Sequence, residues 1–486
     1  MKITEANGVY RTSSVARENL AELAGRFCFD RYHRTGQGEL YWQEEACWMF
    51  SDAEIEGLIL PAARTLHGLL MEYVEAVCAD PGLLAWAGIP PSWSNAIRRD
   101  WRRSPATLLL RLDLAYDGQS SPKLLECEAE AVGSIFETGF FQLQWLDQLR
   151  QAGRMPAGVS QWNRLHEALV GRFAVVASGS WPLHVVAASQ DREDWLQARY
   201  LAACAAQAQR QVHLLDIGEL ELDPHVGFMD PSGRPVQQLL MLYRWSRLLS
   251  EPFSGHLLES IDRGLHLLAP SWTQLLSSKV CLAGLWRLFP GHPLLLSTRL
   301  EAQGGHDFPA KHLSKPVHGH RGEGIILRLD DGSRLRTSGD EGPQGSARVI
   351  QEFAGQCLDG DLSGGHGAGC RILSTWLVGG RPVALGVREA SEPLLTGSNC
   401  RYVPHAVIAA SNRAETRSRN LDFVNPPAAF RRWMSSSERL GNGFGGGQPR
   451  SERDRGGFGG SGSRDRLVIL EASQPRPRGP RSTLPA

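Results

Sequence analysis

Apolar residues recur at helical spacing behind Ser51-Asp52-Ala53-Glu54. Ile55, Leu58, Leu66, Leu69, Leu70, Tyr73 and Val77 fall along one face, and the Ser and Glu three residues apart form a capping box. Pro61 within that stretch predicts a kink, because proline offers no N–H to the helix ladder. Residues 1–100 therefore read as mostly helical. The period then changes to two. ATLLLRLDLAYDGQSSPKLLECEAE (106–130) reads as two strands around a turn built on Asp117-Gly118 and a Ser-Pro step. Helices are expected around Glu137–Leu149 and Trp162–Phe173. The strand HVVAA (184–188), a helix over Asp194–Gln209 and the strand VHLLDI predict an α/β layer across about 180–250. Residues 265–300 read as helical and aromatic. Beyond 312 the pattern turns to strands and glycine turns: LSKPV, GIILRL, ARVIQEF, RILSTWLV, then PVALGVRE after Gly379-Gly380.

This pattern predicts a chain that is α/β in one part and α+β in the next. A helical region over 1–100 precedes a core over 101–410, whose second part spans about 265–410. Residues 411–486 differ in kind, being rich in Gly, Arg and Ser and poor in apolar residues, and are expected to be disordered because they cannot offset their ordering entropy by burial. That segment holds 14 arginines and seven acidic residues, a charge of +7; the formal net charge of the whole chain is zero, which leaves −7 on the first 410 residues. An acidic body disfavours nucleic acid as the main partner, although a single Arg-Gly-Gly step at 455–457 leaves a weak RNA-binding reading of the tail open. A hydrophobic content of 42% and a charged content of 21% are those of ordinary soluble globular chains. The N-terminus lacks an apolar signal region, and no apolar run approaches the ~18 residues needed to span a membrane. The nine cysteines are scattered without a CxxC pair. No membrane partner and a cytoplasmic location are expected.

Candidate chemistry begins at the hairpin. Antiparallel pairing about its turn sets Asp113 opposite Glu126 and Arg111 opposite Glu128, with all four side chains on one face. Three carboxylates so placed repel unless a cation lies among them, and such hard oxygen ligands suit Mg²⁺ shared with a phosphate. A solvated polar face is the plainer alternative. Only five lysines occur (2, 123, 279, 311 and 315) among 52 basic residues, so those retained are enriched for places that need a compact ammonium. Lys315 ends a strand before Pro316-Val317-His318-Gly319-His320-Arg321-Gly322-Glu323-Gly324, a loop able to cradle phosphates with backbone N–H groups. Among the motifs that exclude common chemistries, no Walker A lysine, GxSxG elbow or HExxH pair is present.

Taken in order from Tyr41 to His405, the chain resembles the glutathionylspermidine synthetase family of ATP-grasp carboxylate–amine ligases, in its stand-alone form without an amidase domain. The matching blocks are YWQEEACWMFSDAEIEGL, the RLDL…KLLECEAEA hairpin, ETGFFQLQWL, QWNRLHEAL, PSWTQLLSSKVCLAGLWRLFPGHPLLL, SKPVHGHRGEGI, VIQEF, STWLVGGRPVALGVRE and LLTGSNCRYVPH. The resemblance implies an ATP-grasp fold and a ligase in which ATP phosphorylates a peptide-like carboxylate and an amine attacks the acyl phosphate. It implies Mg²⁺, with Asp113, Glu126 and Glu128 at the ligand positions. It implies Lys279, Lys315, Gly322, Gln351 and Leu394, Leu395 and Thr396 around ATP. Arg388 matches the arginine that stabilises the transferring phosphoryl group, Arg111 one near the acceptor carboxylate, and Glu193 and Asp194 an acidic pair that meets the amine. A helix N-terminal acidic turn is the alternative for that pair.

Several positions depart from the family pattern. Glu128 stands where asparagine is usual, His320 where the phosphate loop has arginine (with Arg321 one place late), Met241 where a lysine is usual, and Ser278 and Ala269 replace an asparagine and an acid. Residues 411–486 have no counterpart. These departures leave a second reading open, a nucleotide-binding or partner-binding protein on the same fold without turnover.

Overall fold

Ser51 and Glu54 cap one another in the computed structural model: the Glu54 N–H donates to Ser51 Oγ at 3.2 Å and the Ser51 N–H to Glu54 Oε2 at 2.9 Å. The structure describes residues 9–26, 38–130, 132–156, 158–177, 179–303, 308–337, 347–354, 369–408 and 465–466. The helix begun at Ser51 continues to Ala79, and the kink expected at Pro61 takes the form of a π turn over Ile55–Ile59, in which the Leu60 N–H reaches back to the Ile55 carbonyl. The wider turn accommodates a residue with no N–H to donate and a ring that crowds the preceding turn. The long segment Leu60–Ala79 is α1.

The carboxylate hairpin is present as read, with strands β1 (Leu109–Ala115) and β2 (Lys123–Glu128). The α/β layer follows: β3 (Leu183–Ala187), helix α2 (Arg192–Gln207), β4 (Val212–Asp216), the short β5 (Gly227–Met229) and β6 (Gln238–Leu242). Its sheet runs in the order His266–Leu267, β6, β3, β4, with every pairing parallel. Helix α2 starts two residues before the expected Asp194, because the Asp191 side chain caps it by accepting from the N–H groups of Glu193 and Asp194. Helix α3 (Val280–Leu288) leads into an antiparallel sheet of Thr298–Leu300, β8 (Arg348–Glu352), β7 (His312–Pro316), Ile326–Arg328 and Arg334–Arg336.

Two long strands, β9 (Cys370–Val378) and β10 (Arg381–Ala390), turn at Gly379-Gly380, where φ values of +55° and +78° make glycine the natural choice. They complete an antiparallel sheet in the order Arg401–Val403, β10, β9, β1, β2. Its two faces diverge by the alternation of a strand. Leu110, Leu112 and Leu114 of β1 join Leu373 and Leu377 of β9 and Leu66 and Leu70 of α1 in one buried core, while Arg111 and Asp113 project from the opposite face.

The predominantly helical reading of the N-terminal residues missed a sheet. Tyr10–Ser13 pairs with Ala46–Ser51, which pairs in parallel with His405–Ile408. Helical periodicity dominates this stretch, and a strand whose partner lies more than 350 residues away carries no local turn signal. The expected disorder of 411–486 falls outside the described residues apart from Asp465–Arg466. No helix among the described residues is long and apolar enough to cross a membrane, and the described cysteines are buried.

Candidate active site

The hairpin register is the expected one: Arg111 faces Glu128 and Asp113 faces Glu126, with a bulge between Asp113 and Leu114. The repulsion among the three carboxylates is relieved by the chain's own cations. Arg111 donates to both oxygens of Asp113 at 3.0 Å, and its guanidinium lies 3.0 Å from Glu128 and 4.0 Å from Glu126. Arg388 reaches the same aspartate from β10. Asp113 pairs with Ser374 of β9, Ser374 pairs with Gly386, and Arg388 stands two residues further on the same face. From there Arg388 Nη2 donates to Asp113 Oδ2 at 2.6 Å, and the Ser374 hydroxyl donates to Oδ1 at 2.8 Å. Burial raises the Asp113 pKa, but Arg111 and Arg388 together outweigh it and hold the carboxyl well below the usual range. Glu128, with weaker compensation, is raised by burial.

The two lysines converge on this face from other elements. Lys279, immediately before α3, donates to the Gly319 carbonyl at 2.7 Å and lies 3.3 Å from Glu126. Lys315 of β7 donates to Gln351 Oε1 of β8 at 2.7 Å and to the Leu125 carbonyl at 3.3 Å. Gln351 is the register partner of Leu313, two residues before Lys315, so the antiparallel pairing of β7 with β8 puts it on the same face as the lysine. Burial lowers the Lys315 pKa to about 8, with Glu126 opposing. Against Lys279 packs the glycine loop, and Gly322 is obligatory there: its φ is +74°, and a Cβ would meet the Leu395 carbonyl oxygen at 2.4 Å. The Gly397 N–H donates to the Arg321 carbonyl at 2.7 Å, so the loop is tied to the 394–397 segment.

Arg111, Asp113, Glu126, Glu128, Glu193, Lys279, Lys315, Gly322, Arg388 and Leu394–Thr396 all line one cleft of about 540 Å³, a size suited to a small-molecule site. Gln351 sits behind Lys315 and does not line the cleft, and neither does Asp194, whose carboxyl is pushed up to about 7 by burial and by Asp191 and Glu193. Hard carboxylate oxygens on adjacent strands suit Mg²⁺ carried by a nucleotide; Asp113, Glu126 and Glu128 are each ion-paired to a basic side chain, so a metal held there would have to displace those contacts.

Sequence reasoning missed other residues of the cleft. Asp191 has an N-cap signature, and besides capping α2 it takes Arg321 at 3.2 Å; Arg321 also lies 2.6 Å from Glu193. Arg244 reaches across to the His320 ring. Glu130 accepts the Trp245 N–H at 2.9 Å and is pushed up to about 7 by burial. Behind the cleft lining, Glu137, at the start of the expected ETGFF helix, is fully buried, accepts from the Tyr41 hydroxyl at 2.9 Å and from Gln197 at 3.3 Å, and is pushed up to about 7 by burial and by Glu193.

A carboxyl with a raised folded-state pKa stabilises the fold most below its unfolded value, and that contribution is lost as pH rises from about 4 through about 7. Glu137→Gln is therefore expected to be more stable than the wild type by about 1–3 kcal/mol at pH 8, with the advantage shrinking toward pH 5. Urea denaturation at both pH values measures this; pH profiles that run parallel contradict it.

A family model described as glutathionylspermidine synthase preATP-grasp matches residues 11–408. A candidate acid–amine ligase of Haemophilus influenzae is 27% identical over 393 residues, 78% of this chain and 94% of the relative. The bifunctional glutathionylspermidine synthetase/amidase of Escherichia coli is 23% identical over 358 residues, covering 66% of this chain and 55% of the relative. Trypanothione synthetase of Crithidia fasciculata is 21% identical over 355 residues, covering 68% and 52%. The chain thus spans about half the length of the latter two.

Proposed function

Because this chain belongs to the glutathionylspermidine synthase preATP-grasp family, we propose that it is an ATP- and Mg²⁺-dependent ligase that joins a peptide-like carboxylate to an amine. One observation carries the proposal: Arg111, Asp113, Glu126, Lys279, Lys315 and Arg388, drawn from five separate segments, meet around a single cleft. The names of the relatives, an acid–amine ligase and two synthetases, support the same class.

In this reading Lys279 and Lys315 hold the nucleotide phosphates as point charges, Gly322 lets the loop backbone approach them, Leu394–Thr396 border the nucleotide, and Gln351 positions Lys315 from behind the lining. Asp113, Glu126 and Glu128 hold Mg²⁺, which when bound neutralises phosphate charge. The γ-phosphoryl group passes to a carboxylate oxygen and ADP leaves. Once the ammonium has given a proton to the Glu193 carboxylate or to solvent, its nitrogen attacks the acyl carbon, the C–O bond to phosphate breaks, phosphate leaves, and the second N–H proton passes to solvent. Arg388 and Arg111 stand where negative charge develops on the phosphoryl and carbonyl oxygens, donors fixed before the reaction begins. Glu193, on the cleft wall, attracts the amine as a cation, which enters by displacing Arg321, and Asp194 supports it from behind the lining.

The test is Mg²⁺-dependent ADP release by the full chain with glutathione and other peptide acids against a panel of polyamines and amino acids. Lys279→Ala serves as the blank. Turnover raised by one acid–amine pair and lost in the blank is expected. Release that stays at the blank's level for every pair, with ATP still raising the melting temperature, favours the second reading, a nucleotide-binding or partner-binding protein without turnover. The internal pairing of Arg321 with Asp191 and Glu193 is the observation on that side, since it fills the amine position with the chain's own cation.

A further inference from the structure

Away from the cleft, the α/β layer brings together two histidines and an aspartate. His184 of β3 and His213 of β4 are register partners in a parallel pair, so their side chains leave the sheet on the same face. Their rings lie 5.2 Å apart, centroid to centroid. Asp230, directly after β5, covers them: a carboxylate oxygen and one ring nitrogen from each histidine lie within 4.8 Å of one another. His184 and Asp230 are both 1% exposed, and His213 is half-buried.

Hydrogen bonding alone leaves this cluster incomplete. His184 Nε2 is 3.5 Å from Asp230 Oδ2, a long contact, while His184 Nδ1 and His213 Nε2 are buried without a hydrogen-bond partner. Orphaned buried nitrogens are costly, and a native site that tolerates two of them calls for an explanation. Asp230 is fixed in advance. Its Oδ1 accepts from the N–H groups of Ser232 and Arg234 at 2.9 and 3.0 Å, and Oδ2 accepts from Arg234 Nε at 2.8 Å. The Arg234 side chain is 46% exposed, so it can swing into water and yield its place to another cation.

We propose that His184, His213 and Asp230 bind a divalent transition-metal ion that clips the β5 segment to the edge of the parallel sheet. Two imidazoles and one carboxylate are the donors that suit zinc, with water in the fourth position. None of the three residues lines the cleft, so the site is independent of the ligase reading. It would fasten β4, the edge strand of the layer whose helix α2 carries Glu193.

The test uses full-length protein stripped with EDTA, then titrated with zinc in competition with a chromophoric chelator, beside His213→Gln and Asp230→Asn. The parallel variants cancel zinc taken up by cysteines or by the cleft carboxylates. The wild type should bind one more zinc ion per chain than either variant, and each variant should lose at least the 10- to 100-fold in affinity that even an outer-shell change costs, on the order of that range. Zinc should raise the melting temperature of the wild type and leave that of the variants unmoved. Equal zinc uptake by all three proteins overturns the proposal, as does uptake only at free zinc above the micromolar range. Asp230→Asn keeps the turn acceptor at the same place, so the comparison survives if His213→Gln folds poorly.

Discussion

Asp113→Ala is expected to cost about 3–5 kcal/mol of stability, the usual penalty for breaking a buried ion pair from one side, and to abolish Mg²⁺-dependent ADP release. Asp113 is 2% exposed and accepts two hydrogen bonds from Arg111, one from Arg388 and one from Ser374. Removing it leaves two guanidinium groups buried side by side without the carboxylate that hydrogen-bonds both of them. The pH dependence has a definite sign. The folded-state pKa is depressed, so the stabilisation is present above the unfolded value of about 4 and is lost as pH falls below it. The gap between wild type and variant should accordingly be constant from pH 5 to 8 and narrow only in acid. Urea denaturation across that range checks it. A variant within about 1 kcal/mol of the wild type at pH 7, on the scale of an ordinary surface change, would show that the two arginines find other partners.

Arg388→Met is expected to separate catalysis from stability. Asp113 keeps both bonds from Arg111 and the one from Ser374, so the fold should lose only about 1–3 kcal/mol, the worth of a charged hydrogen bond. ADP release should fall by about 10³-fold, the scale reached when an arginine facing a transferring phosphoryl group is removed. Burial lowers the Arg388 pKa, but Asp113 more than reverses this, so the side chain stays charged at every working pH. Arg388→Lys should recover part of the rate, since the charge returns without the planar fork. The pair to compare is kcat from single-turnover ADP formation and the denaturation midpoint; a rate within tenfold of the wild type removes Arg388 from the chemistry.

These two residues also mark how far the sequence reaches. Asp113 was legible from its own neighbourhood. A short turn at Asp117-Gly118 fixes the register of β1 and β2, and a period of two then sets Asp113 against Glu126 and Arg111 against Glu128. The capping box at Ser51 was legible for the same reason, all its hydrogen bonds lying within three residues. Arg388 carried no such signal. It lies 275 residues from Asp113, and only the resemblance of its neighbourhood to known ligases singled it out. Asp191 escaped notice, and Arg321 was noted only as a displaced loop arginine, because an N-cap aspartate and a loop arginine are ordinary until they meet.

What the chain determined by itself is its local order: a capped helix behind Ser51, a carboxylate hairpin, a βαβ layer and a glycine loop after Lys315, together with the family blocks that make it a mixed α/β chain of the ATP-grasp class. Turn chemistry and side-chain period act over a few residues, and a sequence displays them directly. Only the tertiary structure decided which charges share a cleft. It brought Lys279 to Glu126, Arg321 to Glu193 and Arg388 to Asp113, and it closed the first strands against His405–Ile408. It also raised Glu137 to about 7 and set His213 beside His184 and Asp230. Each of these depends on desolvation and on distances of a few ångströms between remote segments, and both quantities come into being only when the sheets pack.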